Sequence, residues 1–250
     1  MTVATDEPIP APSGHALRPA GALGAFVECL WYGAAATAEE RHHVVAPDGR
    51  MDVVLAFDDA RGDAMVFGTT TRAIPYELVA GRRYLGIRFR PGCSRRMIEH
   101  RPLAVRDRRD PVERVAGIDA YALLDLAASA RGPQQALQAV AGSLEPSVRH
   151  LDGRDDLVTA LAAYVDGRHG NLKVSELAHQ AGVSERQLER LFVEAVGLPP
   201  KLYARVVRYQ RVRAALARGA KPGAALAQRF GYTDQSHLLR DLRSLAGFSR

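Results

Sequence analysis

The sequence predicts an α+β chain of two parts: a β-rich barrel or sandwich, then an all-helical domain in which a long helix joins two helix-turn-helix units. Three observations lead to this prediction. Short apolar runs separated by turn residues fill the first hundred residues, which is typical of a small all-β domain. From Asp119 onward apolar residues recur at helical spacing. Two amphipathic helix pairs near the C-terminus each carry a glycine at the turn between the helices.

Composition and length indicate a globular protein. The chain has 250 residues, of which 47% are hydrophobic and 25% charged, so it can bury a core. We expect no membrane span, because no apolar run approaches the ~20 residues that one needs. Residues 1–14 are expected to be a flexible tail, because they hold acidic residues and prolines and lack the basic start of a signal peptide. Two cysteines, Cys29 and Cys93, cannot form a disulfide framework, and the expected location is the cytoplasm.

Residues 15–110 are predicted to form the β-rich domain. Pro47-Asp48-Gly49 is the clearest turn signal and predicts a hairpin between the strands on either side of it. A short helix over Ser94–His100 is predicted to follow the last strand. The predicted strands are Phe26–Tyr32, His42–Ala46, Met51–Phe57, Ala64–Gly68 and Tyr84–Arg90.

Residues 111–150 are predicted to form a helical connector of two helices, and Pro146 is expected to end the second. We place the start of the C-terminal domain, residues 151–250, near Leu151. The side chains expected to face inward are Tyr121, Leu124 and Ala128 in the first helix of the connector and Leu137, Val140 and Leu144 in the second.

The strongest signal lies in Val174–Val196, which is typical of a helix-turn-helix. Ala178 is small where the two helices would cross, and Gly182 follows four residues later at the turn. Leu188, six residues beyond the glycine, would pin the second helix to the first. Three constraints at this spacing are more than a random amphipathic pair needs. The residues expected to cap the two helices are Ser175 and Ser184.

A second unit, Ala224–Leu245, repeats the pattern. Gly231 makes its turn, Thr233 is expected to cap the following helix, and Leu238 comes seven residues after the glycine instead of six. Between the units, a helix starting at Pro200 would span about 25 Å at about 1.5 Å per residue. That length would let two recognition helices enter successive major-groove turns, which lie about 34 Å apart on one face of DNA.

Basic charge is concentrated in the last third of the chain. Residues 171–250 carry 14 Lys and Arg against 6 Asp and Glu, whereas residues 1–170 carry 20 against 22. Clustered cations bind phosphates by releasing counterions, so this asymmetry favours double-stranded DNA as a partner. The alternative is a basic surface that is merely solvated.

The order of these features resembles the AraC/XylS family of transcription factors. The resemblance covers about residues 155–250 and lies in LAHQAGVSERQLERLF, GLPPKLYARVVRYQRVRAAL and RFGYTDQSHLLRDLRSLAGFSR. The family usually continues past the final glycine with a proline and a short tail, whereas this sequence stops at Arg250. A small domain that precedes this unit in some bacterial regulators resembles WYG, VAPDGRMDVV, FG, GIRFRPG and RDRRD. Sensing is the usual interpretation of that domain.

The sequence thus predicts a sequence-specific DNA-binding transcriptional regulator. In a helix-turn-helix the exposed start of the second helix reads base edges, where Arg suits guanine and Gln suits adenine. The resemblance implies, in addition, that Arg205 braces the two units. RNA polymerase is an expected partner if the protein is an activator, and a homodimer is a further expectation. The residues expected to contact DNA are Ser184, Arg186, Gln187, Arg190, Thr233, Gln235, Ser236, Arg240, Arg205 and Arg208.

The β-rich domain could enclose a small-molecule effector, because its aromatic residues could line an apolar pocket. The candidate pocket residues are Trp31, Phe57, Phe67 and Arg88. The alternative is that the aromatic residues simply form the core and that Arg88 faces solvent instead of an anionic ligand. Cys93 begins a basic stretch that could lower its pKa, and an inert thiol is the alternative to a redox sensor.

An enzyme is not expected. The sequence contains no HExxH, GxSxG, P-loop or GxGxxG pattern. His42 and His43 are adjacent on a predicted strand, so their side chains would point to opposite faces and could not easily share a metal ion. We expect neither a metal nor a cofactor. The remaining alternative is a small-molecule or protein-interaction module that binds partners through Tyr121–Leu144 and binds DNA only weakly and without specificity.

Overall fold

A computed structural model describes residues 14–34, 42–148 and 156–246. Within these ranges the predicted fold class is confirmed, since a β-rich sheet domain precedes a helical domain. The predicted tail, apart from Gly14, lies outside the described residues, and so do Leu151 and Arg250.

An antiparallel sheet of six strands forms the N-terminal domain. Its strands are β1 His15–Leu17, β2 Val27–Ala34, β4 Asp52–Phe57, β5 Gly62–Phe67, β7 Arg83–Phe89 and β8 Arg109–Pro111. They lie in the order β1-β2-β7-β4-β5-β8. Two antiparallel pairs complete the domain, β3 His42–Val45 with β6 Ile74–Glu77 and β9 Arg114–Val115 with β10 Ile118–Asp119.

Both faces of the sheet are covered. Val53 and Leu55 of β4 point into the main core, whereas Val54 and Ala56 point into a second cluster around Trp31. Successive side chains of a strand point to opposite faces, so a strand covered on both sides needs apolar residues at nearly every position. The run VVLAF in β4, all of it buried, meets this need.

The main core also contains two helices of the predicted connector, α3 Ala120–Ala128 and α4 Pro133–Val148. Shorter helices, α1 Gly21–Phe26 and α2 Ser94–Met97, lie earlier in the chain. Leu137, Val140 and Leu144 are buried, as predicted. The division of the chain between residues 110 and 111 stays a prediction.

Two details of these helices were predicted wrongly. Tyr121 was expected to face inward but is 65% exposed. Asp119 caps α3 by accepting a hydrogen bond from the Tyr121 amide at 2.7 Å, so the buried stripe starts at Ala120. Pro146 does not end α4, which continues to Val148. Pro146 removes one backbone hydrogen-bond donor from the helix, and the buried Val148 packs the following residues into the main core.

The predicted hairpin at Pro47-Asp48-Gly49 is also wrong. The strand before it, β3, pairs with β6, and the strand after it, β4, pairs with β5 and β7. Asp48 does form a turn, by accepting a hydrogen bond from the Arg50 amide at 3.0 Å, and Gly49 adopts a φ of 68°. The turn carries the chain onto the helical domain instead of folding it back on itself.

Between residues 156 and 246, the C-terminal domain contains six helices. They are α5 Asp156–Gly167, α6 Val174–Gln180, α7 Glu185–Val196, α8 Pro200–Ala217, α9 Ala224–Arg229 and α10 Gln235–Leu245. The first four share one apolar core, and the end of α8 forms another with α9 and α10. The 18 residues of α8 span about 27 Å at about 1.5 Å per residue.

The Pro47–Arg50 loop docks on α5 and α8. Arg50 forms ion pairs with Glu28 of β2 at 2.6 Å and with Asp166 of α5 at 3.1 Å. The Tyr203 hydroxyl donates to the other oxygen of Asp166 at 2.9 Å. A Cβ added to Gly49 would lie 2.9 Å from the Tyr203 ring. Burial raises the pKa of both Asp166 and Tyr203, while Arg50 opposes the shift of each.

We expect Gly86→Ala to destabilise the sheet by more than about 2 kcal/mol, because overpacking forces a buried neighbour out of place. A Cβ at Gly86 in β7 would lie 1.9 Å from the indole of Trp31. Urea unfolding followed by the fluorescence of Trp31, the single tryptophan, measures the effect. Gly142→Ala is the control, since nothing lies within 4 Å of its added Cβ and alanine favours a helix. Equal stabilities of the two variants would contradict the packing argument.

We expect Arg50→Gln to lower the free energy of unfolding by about 2–3 kcal/mol, because it leaves two largely buried carboxylates without their cation. Arg61→Gln is the matched control. Arg61 is 78% exposed and lies 4.0 Å from Asp58, so its loss should cost less than about 1 kcal/mol. The same urea titration measures both, and a cost for Arg50→Gln no larger than the control's would mean that the docking contact contributes little.

Candidate nucleic-acid interface

The first helix-turn-helix has the predicted turn. Gly182 adopts a φ of 65°, and nothing lies within 4 Å of where its Cβ would be. Ala178 and Leu188 are both buried where α6 meets α7. One predicted cap is wrong: α6 begins at Val174 with Lys173 as its N-cap residue, two residues before the cap expected at Ser175, and no side chain caps it.

Ser184 caps α7 as predicted, through a reciprocal pair of hydrogen bonds with Gln187. The Gln187 amide donates to the Ser184 Oγ at 3.3 Å, and the Ser184 amide donates to the Gln187 Oε1 at 3.0 Å. This arrangement satisfies two helix-terminal donors at once. The Gln187 side chain, expected to read adenine, is therefore folded back on the helix. Arg186 and Arg190 are exposed on the same helix.

The second unit enters its recognition helix one residue later. Its N-cap residue is Asp234, whose carboxylate accepts from the His237 amide at 2.7 Å, so the cap predicted at Thr233 is wrong. Two residues separate Gly231 from this cap, whereas only Val183 separates Gly182 from Ser184. The longer turn explains why Leu238 follows its glycine by seven residues.

The start of α10 is exposed, like that of α7. The exposed side chains include all four that were expected to contact DNA in this unit. Thr233 lies 3.4 Å from the His237 ring nitrogen Nδ1, and that ring stands edge-on to Tyr232. The Arg240 Nε donates to the Ser236 carbonyl at 3.4 Å. The exposed residues are Thr233, Gln235, Ser236 and Arg240.

Arg205 and Arg208 of α8, expected to contact DNA, bind the second unit. The Arg205 Nε donates to the buried carboxylate of Asp241 at 2.6 Å, and its Nη2 donates to Ser244 at 3.1 Å. Arg208 lies 5.0 Å over the Tyr232 ring and donates to the Gly231 carbonyl at 3.3 Å. Arg205 thus joins α8 to α10, in the bracing position that the resemblance implied.

A groove of about 510 Å³ separates the first recognition helix from the start of α8. Lys173 and Lys201 line it together with Arg208, and Glu185 and Glu189 line its other side. Neither lysine was among the predicted contacts, since nothing in the sequence places a lone lysine between two helices. Both are exposed.

The structure separates Phe57 from the other three residues of the predicted effector pocket, because Trp31 and Arg88 both bond Asp52 and Phe67 packs against the cluster around Trp31. Phe57 lies in the main core, and Trp31 lies in the cluster on the opposite face of the sheet. Arg88 is 4% exposed and forms ion pairs with Asp48 at 2.8 Å and Asp52 at 3.0 Å, so it faces neither solvent nor an open pocket. Phe67 lines a cavity.

Both cysteines are buried. Burial raises the pKa of the Cys29 thiol to about 11, and Cys93 is 1% exposed, with its sulfur 3.5 Å from the Thr159 hydroxyl. The described residues include no group of three or more His, Cys, Asp or Glu that could hold a metal ion. In the ranges that the structure covers, no helix is long and apolar enough to cross a membrane.

Family models match both parts of the chain. A family model described as a helix-turn-helix domain matches residues 177–249, and one described as a domain of unknown function (DUF6597) matches residues 15–109. No curated protein matches the chain. Two crystal structures of ToxT from Vibrio cholerae are similar at 8% identity; they cover 88% of this chain and 93% and 94% of ToxT, with TM-scores of 0.43 and 0.44. The chain therefore carries, behind a domain of unknown function, the AraC-type helix-turn-helix domain of DNA-binding transcriptional regulators.

Proposed function

We propose that the chain binds a specific, asymmetric double-stranded DNA site through α7 and α10 and so regulates transcription from a nearby promoter. One observation carries the proposal: two recognition helices with exposed N-terminal ends lie on either side of a single rigid helix, α8. Its length of about 27 Å suits helices that enter successive major-groove turns about 34 Å apart. One chain then reads a long site without a partner subunit.

Few side chains are in a position to form hydrogen bonds with base edges. Arg186 and Arg190 are exposed on α7 and suit the acceptor edge of guanine. Gln187 has to leave the helix cap before it can reach adenine, which would cost part of a capping interaction of about 1 kcal/mol. Lys173 and Lys201 supply backbone contacts, which position the protein without reading sequence.

The docked N-terminal domain leaves the reading surface open. It contacts the C-terminal ends of both recognition helices: the Ala73 amide donates to the Leu245 carbonyl of α10 at 2.9 Å, and Arg95 pairs with Glu194 of α7 at 3.1 Å. Arg186 lies at the opposite end of α7, and Arg190 lies one helical turn before Glu194 and is exposed. Docking and DNA binding are thus compatible, and an N-terminal effector would act by changing the docked arrangement.

RNA polymerase is the partner of this function if the protein activates, and a homodimer would extend the site. The second candidate function is an interaction module with weak, non-specific DNA binding. The exposure of Tyr121 at 65% and Leu126 at 38% on α3 favours it, since exposed apolar side chains on one helix suit a protein contact. The salt and sequence dependence of DNA binding separates the two.

We expect Arg186→Ala/Arg190→Ala to lose mainly the preference for selected over random DNA, by about 1–3 kcal/mol per lost base contact. Fluorescence anisotropy against sites enriched from a randomised pool, measured across salt concentrations, checks this. Arg218→Ala is the matched control, because Arg218 is exposed beyond the end of α8. If no sequence is enriched, or if the double variant and wild type prefer the same sites equally, specific recognition by α7 is refuted.

We expect Arg205→Gln and Asp241→Asn to cause the same defect, because each removes the 2.6 Å ion pair between α8 and α10. Each should lower stability by about 1–3 kcal/mol, and the double variant should be little worse than either alone. Thermal unfolding and DNA anisotropy are measured on all three. A large loss of DNA affinity in Arg205→Gln with none in Asp241→Asn would show instead that Arg205 contacts DNA.

A further inference from the structure

A cavity in the N-terminal domain lies beside the docked helical domain. Its volume is about 260 Å³, close to the lower end of small-molecule sites at about 300 Å³. Val45 of β3, Phe67 of β5, and Ile74 and Tyr76 of β6 form its apolar wall. A space of this size and lining suits an aromatic ring with a short side chain.

The polar wall of the cavity is cationic. Arg108 and Arg109 line it, against a single carboxylate, Glu77. Arg109 lies 4.9 Å over the Tyr76 ring, which holds it at the aromatic wall. Arg108 pairs with Asp110 at 3.0 Å, but 58% of its side chain is exposed. Two guanidinium groups favour an anion, and their planar fork matches a carboxylate.

The cavity wall continues directly into the contact with the DNA-binding domain. Ala46, next to Val45, packs against the buried cluster of Val206, Tyr209 and Leu245 in the helical domain. The Thr70 hydroxyl, also at the cavity, donates to the Ala46 carbonyl at 3.3 Å. Three residues further on, the Ala73 amide holds the last residue of α10 at 2.9 Å.

Asp107 links the arginines to this segment. It directly precedes Arg108, adopts a φ of 58°, and donates its amide to the Thr69 carbonyl at 3.0 Å. Its carboxylate accepts from the Thr71 amide at 2.6 Å and from the Thr71 hydroxyl at 2.8 Å. A displacement of Arg108 or Arg109 therefore reaches the Gly68–Ala73 segment through this carboxylate and through backbone hydrogen bonds, which include that of the Gly68 amide to the Arg108 carbonyl at 3.1 Å.

We infer that this cavity binds a small apolar carboxylate, such as an arylacetic acid, and that its occupancy changes the contact between the Gly68–Ala73 segment and α10. The evidence for the binding site is the cavity and the two arginines that line it. Its consequence for DNA binding rests on the proposed function and deepens it, because α10 is the second recognition helix.

Fluorine NMR of 4-fluorophenylacetate added to the full chain tests the site, with 4-fluorobenzyl alcohol as the uncharged probe. We expect the acid to bind with a millimolar dissociation constant or tighter. The alcohol should bind at least about tenfold more weakly, because it loses the charge-assisted hydrogen bonds. Equal binding of both probes, or binding of neither, overturns the site.

Two variants locate the bound acid. Ile74→Trp fills the cavity and Arg109→Gln removes a cation, and each should weaken acid binding by at least about tenfold. Arg131→Gln, at an exposed arginine in the α3–α4 connection, should leave it unchanged. Thermal unfolding of each variant verifies the fold, and Arg109→Gln keeps the test decisive if Ile74→Trp unfolds. Acid binding that survives both substitutions overturns the assignment to this cavity.

Amide hydrogen exchange tests the coupling. The saturating acid should change exchange in the Gly68–Ala73 segment and in the last turn of α10, while the start of α7 should stay unchanged. Acid binding without any change at the end of α10 overturns the coupling. None of these outcomes alters the preference for DNA that depends on Arg186 and Arg190, so failure of this inference is distinguishable from failure of the proposed function.

Discussion

The arrangement of the two domains depends on the guanidinium of Arg50. A buried charge is costly unless it is paired and hydrogen-bonded, and Arg50 is paired with Glu28 of its own domain and Asp166 of the other. Only in the docked state does its guanidinium bond a carboxylate of each domain. Because these bonds are directional, as an apolar contact is not, they fix the orientation of α5 and α8 against the sheet. Tyr203 completes the set by occupying the remaining oxygen of Asp166.

Polar contacts play the same part within the DNA-binding domain. Its two units have separate apolar cores, so apolar packing alone would leave the angle between them loosely determined. Arg205 and Arg208, three residues apart on α8, bind Asp241 and the Gly231 carbonyl of the second unit. Gly231 in turn leaves room for the side chain of Asn171, which its Cβ would meet at 2.4 Å. The spacing of the recognition helices is therefore set by α8 and held by charge.

Local patterns predicted the helical domain well and the sheet domain less well. The turns at Gly182 and Gly231 and the cap at Ser184 depend on backbone conformation and on neighbours within a few residues, so they were visible in the sequence and the structure has them as predicted. The hairpin at Pro47–Gly49 failed because the loop's partners lie more than a hundred residues away. The prediction for Arg88 was wrong for a similar reason: its neighbours along the strand give no sign that Arg88 pairs with Asp48 and Asp52. The Ser184–Gln187 cap and the Arg205 ion pair also show that a polar residue expected to contact DNA can instead stabilise the fold.

Tyr203 belongs to two domains at once. Its ring packs 5.9 Å from Phe192 in the core of the first helix-turn-helix, yet its other neighbours include Gly49 of the sheet domain. This has a bearing on how such proteins diversify. A DNA-binding domain of this sequence could function with a different N-terminal domain only if that domain placed a glycine against Tyr203 and a cation against Asp166, as Gly49 and Arg50 do. Such a joint restricts domain exchange and favours inheritance of the two halves as a pair.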